Sequence, residues 1–163
     1  QGRHRYFELG EGITQLLEQI SCLAAGQGHL RSRPGPQDSA LRQCRVCYDH
    51  LAGRQAVQLF GFMRDNSLIT GDCHEAGHLD LTRDGEFFCM SLGVDLAGLR
   101  AARRPICLPC LDWSERKTHL AGGLGAAFLT AFMSLGWIER YSGSRAMRIT
   151  AEGELGFDRL LTT

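Results

Sequence analysis

The chain has no run of eighteen apolar residues, which excludes an ordinary membrane-spanning helix. It also lacks net charge: 18 basic and 18 acidic residues balance, so any contact with nucleic acid has to be local. Its first residues do not follow the basic, apolar, small-residue order of a signal peptide, and a soluble, cytoplasmic protein is expected. Seven cysteines cannot form a complete disulfide framework within one chain, and a reducing compartment is the simpler setting. The thiols are then core residues, ligands or redox groups. Nucleotide-binding glycine loops, nucleophile elbows and zinc-protease helix motifs are missing as well, so the chain is read as not an enzyme.

What is present suits an ordinary globular protein. With 163 residues, 44% of them hydrophobic, the chain can bury one or two small cores. It starts at Gln1, without an initiator methionine, on a stretch that reads as the second half of something, so a piece of a longer protein is expected. A strand-like run at 5–9, holding Tyr6 and Phe7, precedes a predicted helix. There Ile13, Leu16, Leu17, Ile20, Leu23 and Ala24 fall at three- and four-residue steps. That apolar stripe is too large for an isolated helix to leave exposed, and it wants a partner from the next segment or from another subunit. GQGHLRSRPGPQ at 26–37, with three glycines and two prolines, suits a linker.

Beyond the linker the chain matches itself. CRVCYD at 44–49 parallels CLPCLD at 107–112, and HLAGRQAVQLFGFMRDNSLI at 50–69 parallels HLAGGLGAAFLTAFMSLGWI at 119–138. The second copy carries a six-residue insert, WSERKT. LDLTRDG at 79–85 and MRITAEG at 147–153 then share the order apolar-x-apolar-Thr-x-acidic-Gly. Each copy reads as a helix from the HLAG segment, a strand near Leu68 or Trp137, a hairpin loop, a second strand and a closing helix capped by Thr82 or Thr150. Helix, two-stranded wing, helix is the plan of a winged-helix module.

QGRHRYFEL resembles the wing strand of the ArsR/SmtB-type bacterial winged-helix transcriptional regulators, in which a Gln-Gly-Arg-x-x-Tyr-Tyr-x-Leu run leads into a terminal dimerisation helix. RVCYDHLAG, CLDWSERKTHLAG and RITAEG resemble the long C-terminal extension of a subgroup of them. The resemblance implies a helix-turn-helix before Gln1 that binds operator DNA, a homodimer through the helix at 13–25, and release of DNA when an effector binds. It also places Arg3, His4 and Arg5 on a wing, where cations touch the DNA backbone.

Two Cys-x-x-Cys pairs suggest a tetrahedral thiolate site, since that spacing lets both sulfurs reach one Zn²⁺. The gap between the pairs is long, yet a pseudo-twofold axis could join them. Cys44, Cys47, His50, Cys107, Cys110 and His119 are therefore candidates for metal or effector binding. The competing reading is that free cysteine is usually a small buried hydrophobe. Asp49 and Asp112 read as helix N-caps, Asp112-Trp-Ser-Glu115 being an acidic capping box. His50 and His119 then fall in the first turn of a helix, where the dipole does not favour them, so a hydrogen bond, a ligand contact or a packed interface is expected. Leu-Ala-Gly after each histidine would permit close packing. Cys73, His74, Glu75 and His78 form a second cluster on the first wing loop, with exposed polar residues as the plainer reading.

The expected architecture is α+β and mainly helical: tandem degenerate winged-helix-like repeats at 38–98 and 99–163 forming a pseudo-dimer. Before them come the end of a winged-helix DNA-binding domain at 1–25, made of a wing strand and dimerisation helix, and the linker at 26–37. No cofactor is required by this reading; Zn²⁺ or another thiophilic metal is the candidate if the thiols are ligands. The expected function is the effector-sensing and dimerisation part of an ArsR-like regulator. The alternatives are a dithiol redox protein using the Cys-x-x-Cys pairs, or a purely structural dimerisation module.

Overall fold

The structure is a computed structural model that describes residues 13, 16, 17, 20, 23, 24, 39–71 and 79–162. Within these, the chain is a mixed α+β protein, about half helical, with small antiparallel sheets. A short helix α1 (Ser39–Gln43) leads into a hairpin, β1 (Arg45–Cys47) and β2 (His50–Ala52), and then helix α2 (Arg54–Asp65). Strands β3 (Ile69–Gly71) and β4 (Leu79–Leu81) pair, followed by α3 (Arg83–Ser91) and α4 (Leu96–Ala101). The second half opens with the hairpin of β5 (Leu108–Leu111) and β6 (Thr118–Ala121), continues through α5 (Gly122–Ser134), and ends with paired β7 (Ile138–Arg140) and β8 (Met147–Ile149) and helix α6 (Ala151–Thr162). Hairpin, helix, hairpin, helix is thus the element order of both halves. Helix α4 spans the expected boundary between 98 and 99.

One expectation is overturned. The HLAG segments do not start helices: His50, Leu51 and Ala52 are a strand, and so are Thr118 to Ala121. The reason lies in the residues before them. Tyr48 has φ 56°, in the left-handed region, and with Asp49 it makes a two-residue turn that folds His50 back opposite Cys47. In the second copy the insert lengthens this turn, and His119 lands opposite Cys110. The histidines therefore sit on strands rather than in a first helical turn.

The helices begin only after the glycine. Gly53 has φ 92°, and a Cβ there would meet the carbonyl oxygen of Arg42 at 2.8 Å; Gly122 has φ 77°, and its Cβ would meet the carbonyl oxygen of Ile106 at 2.7 Å. At both positions the chain passes tightly over the segment that precedes its hairpin, so the close approach is between strand end and upstream backbone. The β3–β4 and β7–β8 strand pairs and the helices that follow them lie where the sequence predicts strands and closing helices. Thr82 and Thr150 accept hydrogen bonds from the amides of Gly85 and Gly153, at 3.1 and 3.0 Å. Each threonine hydroxyl also donates to the carbonyl two residues before the first strand of its pair, that of Ser67 before β3 or Gly136 before β7.

The core is built around α5. Its sequence, GGLGAAFLTAFMS, carries no charge on any face, so only a central position satisfies it. Phe128 and Phe132 stack at 5.8 Å, and Phe132 continues onto Trp137 and Phe157. Helix α5 packs on β2 of the other half, and α2 packs on β6. The halves therefore clasp each other: each helix covers the partner half's hairpin, and β2 lies beside β6. Backbone bonds from the Val46 amide to the Arg145 carbonyl (2.8 Å) and from the Met147 amide to the Cys44 carbonyl (2.9 Å) tie β1 to the last hairpin.

Candidate metal centre

Side chains on a strand alternate between faces, so the two cysteines of each Cys-x-x-Cys pair, an odd number of residues apart, have different destinations. Cys44 and Cys107 enter the apolar core, where burial pushes their thiols up to about 12. Cys89 does the same. Cys47 and Cys110 turn the other way, each beside the histidine opposite it in its hairpin. Because β2 and β6 run together, the two Cys–His pairs face one another.

The result is a four-residue cluster of Cys47, His50, Cys110 and His119, whose ligand atoms all lie within 4.8 Å of one another. His50 Nε2 and His119 Nε2 are 3.1 Å apart, and the rings stack with centroids at 5.1 Å. His50, Cys110 and His119 are buried, while Cys47 is partly exposed. The Cys47 thiol is held far below its ordinary value, first by a hydrogen bond from the Cys110 thiol and then by His119 and His50, against the opposing effect of burial. Burial pushes His119 down, toward the neutral form that can donate a lone pair.

Two aspartates back the imidazoles. Asp49 Oδ1 is 3.4 Å from His50 Nδ1, and Arg104 pairs with the same carboxylate. The His50 contact first, and Arg104 second, hold Asp49 below the usual carboxylate range. Asp112 Oδ2 stands 3.9 Å from His119 Nδ1. That nitrogen is buried and makes no hydrogen bond.

Asp112 does far more than a cap. Its Oδ1 accepts from the amides of Ser114 and Glu115 and from the Ser114 hydroxyl, closing a turn; no helix follows. Its Oδ2 accepts from Arg45 Nη2 and from the Gly53 amide, both at 2.7 Å. Burial pushes this carboxyl up, but hydrogen bonds from Ser114, the charge of Arg45 and the backbone amides overcome that and leave it at about 2. Asp49 likewise caps no helix and sits in the hairpin turn.

Arg45 is a participant that sequence reasoning missed. Its side chain is sealed from solvent, donates to the Leu41 carbonyl and the Ser114 hydroxyl, and lies with its guanidinium carbon 4.3 Å from the centre of the Trp113 ring. The signal was an arginine between two apolar-facing residues of a strand, where an unpaired charge is too costly to bury. Its partner carboxylate, 67 residues away, is not legible from spacing.

The other predicted site residues lie outside the described residues: Arg3, His4 and Arg5 of the expected wing, and Cys73, His74, Glu75 and His78 of the first wing loop. Among the described residues no helix is long and apolar enough to cross a membrane.

No protein-family model matches the chain, and no solved structure does. The chain is similar to the HTH-type transcriptional regulator YdfF of Bacillus subtilis (strain 168). The two are 33% identical over 161 residues, covering 98% of this chain and 70% of the relative.

Proposed function

The chain belongs to a family of HTH-type transcriptional regulators, and on that premise we propose that it is the effector-sensing and dimerisation part of an ArsR-like regulator that binds operator DNA through its helix-turn-helix. The observation that carries the sensing role is the meeting of two Cys–His pairs, one from each half of the chain, in a largely buried site. Groups of this type bind thiophilic metals or respond to oxidants, and they are not needed to hold a core together.

Dimerisation draws on the helix that holds Ile13, Leu16, Leu17, Ile20 and Leu23. These five are helical, and each is between 43% and 55% exposed in the single chain, so one apolar stripe faces outward. A second copy of the same helix would cover it. The repeated element order and the mutual clasp of the halves support a tandem, pseudo-twofold arrangement of winged-helix-like units at 38–98 and 99–163. The setting is the cytoplasm, and the effector acts by preferring one of two regulator geometries that differ in affinity for DNA.

The experiment is a DNA-binding titration of the full-length regulator on the region upstream of its own gene, with and without Zn²⁺, other thiophilic metals and a thiol oxidant. Wild type is expected to bind, and one of these effectors to shift the binding curve by about 5- to 150-fold. His119→Ala should bind DNA but lose that shift. A full-length protein with no affinity for DNA, or a His119→Ala variant with an unaltered shift, would sink the reading.

A further inference from the structure

We propose that Cys47, His50, Cys110 and His119 form a closed tetrahedral site for a single Zn²⁺ ion, with Asp49 and Asp112 orienting the two imidazoles, and that Asp112 links the ion to Arg45 and helix α1. This deepens the sensing role proposed above, on which only the regulatory meaning rests. The site itself stands on geometry.

Two thiolates and two imidazoles are a donor set that suits Zn²⁺, and four protein ligands leave no open position for a substrate. Around Zn²⁺, with bonds of about 2.0–2.1 Å to nitrogen and about 2.3 Å to sulfur, the tetrahedral edges measure about 3.3–3.8 Å. The histidine nitrogens already stand at 3.1 Å, and the whole set lies within 4.8 Å. Side-chain shifts of about 1 Å or less convert the cluster into a coordination sphere. On binding, the thiol protons leave to solvent and both sulfurs coordinate as thiolates.

The imidazole rings coordinate through Nε2, so each Nδ1 has to carry its proton and find an acceptor. His50 Nδ1 has Asp49. His119 Nδ1 is buried without a hydrogen bond, and the Asp112 carboxylate is the nearby acceptor, 3.9 Å away. The oxygen it faces is the one that already accepts from Arg45 and from the Gly53 amide. Drawing His119 into a metal-bound position with a bonded Nδ1–H therefore places a third donor on that oxygen. Arg45 feels the change, and Arg45 also holds the Leu41 carbonyl of α1. Helix α1 is the first continuous element after the predicted linker, so this chain of contacts runs from the ion toward the N-terminal end of the protein.

The test uses the full-length protein, purified under reducing conditions and reconstituted with Zn²⁺ or Co²⁺ alone. Expected are one Zn²⁺ per chain by elemental analysis and, with Co²⁺, the absorption of a tetrahedral site with thiolate-to-cobalt charge transfer. Cys47→Ser and His50→Ala should each abolish stoichiometric binding, while Cys89→Ala should keep it. Asp49→Asn, a change at an exposed position, should keep the cobalt spectrum but weaken affinity about 10- to 100-fold in competition with a chelator. Asp112→Asn should weaken it similarly and, by hydrogen exchange, should remove any metal-dependent protection of α1. A folded, reduced wild type that binds neither ion overturns the site. Wild-type affinity in Asp49→Asn overturns the orienting role, and α1 exchange indifferent to metal overturns the link. Stoichiometric Zn²⁺ with no effect on DNA binding would count against the sensing role alone.

Discussion

The guanidinium of Arg45 donates to the carboxylate of Asp112 at 2.7 Å, joining the first hairpin to the second across 67 residues with both side chains shut off from water. A buried pair of this kind is worth little over an apolar substitute, but removing one partner strands the other. Arg45→Met is therefore expected to destabilise the protein by about 3–5 kcal/mol in urea unfolding. Pairing it with Asp112→Asn should cost less than the sum of the single changes, by about 0.5–3 kcal/mol. Strict additivity would mean that the pair does not act as a unit.

Three glycines separate conformation from space. Gly53 combines φ 92° with backbone oxygen 2.8 Å from where a Cβ would be, so Gly53→Ala should cost about 1–3 kcal/mol or more. Gly93 has φ 80° but open space, and Gly93→Ala should cost less. Gly61 lies inside α2 with nothing within 4 Å, so Gly61→Ala should stabilise by about 0.5–1 kcal/mol. Thermal melts of the three variants should fall in that order, and destabilisation by Gly61→Ala would contradict the account.

Thr82→Ala and Thr150→Ala each remove a hydroxyl that accepts the amide at the third position of a helix and donates to a carbonyl of the preceding turn. Each should lose about 1 kcal/mol. Serine at either site should recover most of it, which a loss due only to the missing methyl group would not allow.

The buried thiols set an alkaline limit. Burial raises Cys89 from the ordinary 9.0 to about 12, so the folded state keeps a proton that the unfolded chain has given up. Stability from this group is intact below pH 9 and declines as pH climbs toward 12, at about 1.4 kcal/mol per pH unit. Cys89→Ala should reduce the slope of stability against pH between those limits by about 1.4 kcal/mol per pH unit, while Cys44 and Cys107, raised to about 12 in the same way, keep their share. The same burial predicts that Cys89 reacts with alkylating reagents near pH 8 only as fast as the protein opens.

Much of the plan was legible in the residues. Apolar spacing and the recurring Thr-x-acidic-Gly sequence located the β3–β4 and β7–β8 strand pairs and the closing helices, because both depend on local chemistry: strand alternation, turn residues and a hydroxyl cap. The duplicated Cys–Asp–His pattern likewise marked which residues to watch. What local chemistry misread was the HLAG segment, where aspartate before a helix-compatible stretch looked like a cap. There the left-handed turn at Tyr48 and pairing with the preceding strand outweighed helix propensity, and the histidines came to lie on strands.

The sequence by itself determined the element periodicity, the uncharged central helix and the set of ligand-type side chains. Only tertiary structure decided which of them meet. Strand alternation sends Cys44 and Cys107 inward and leaves Cys47 and Cys110 with the histidines, and the clasp of each helix over the other half's hairpin brings those pairs together. The same clasp gives Arg45 its carboxylate. Such contacts join residues more than fifty positions apart, and no local spacing encodes them because they arise from burying two apolar faces against each other.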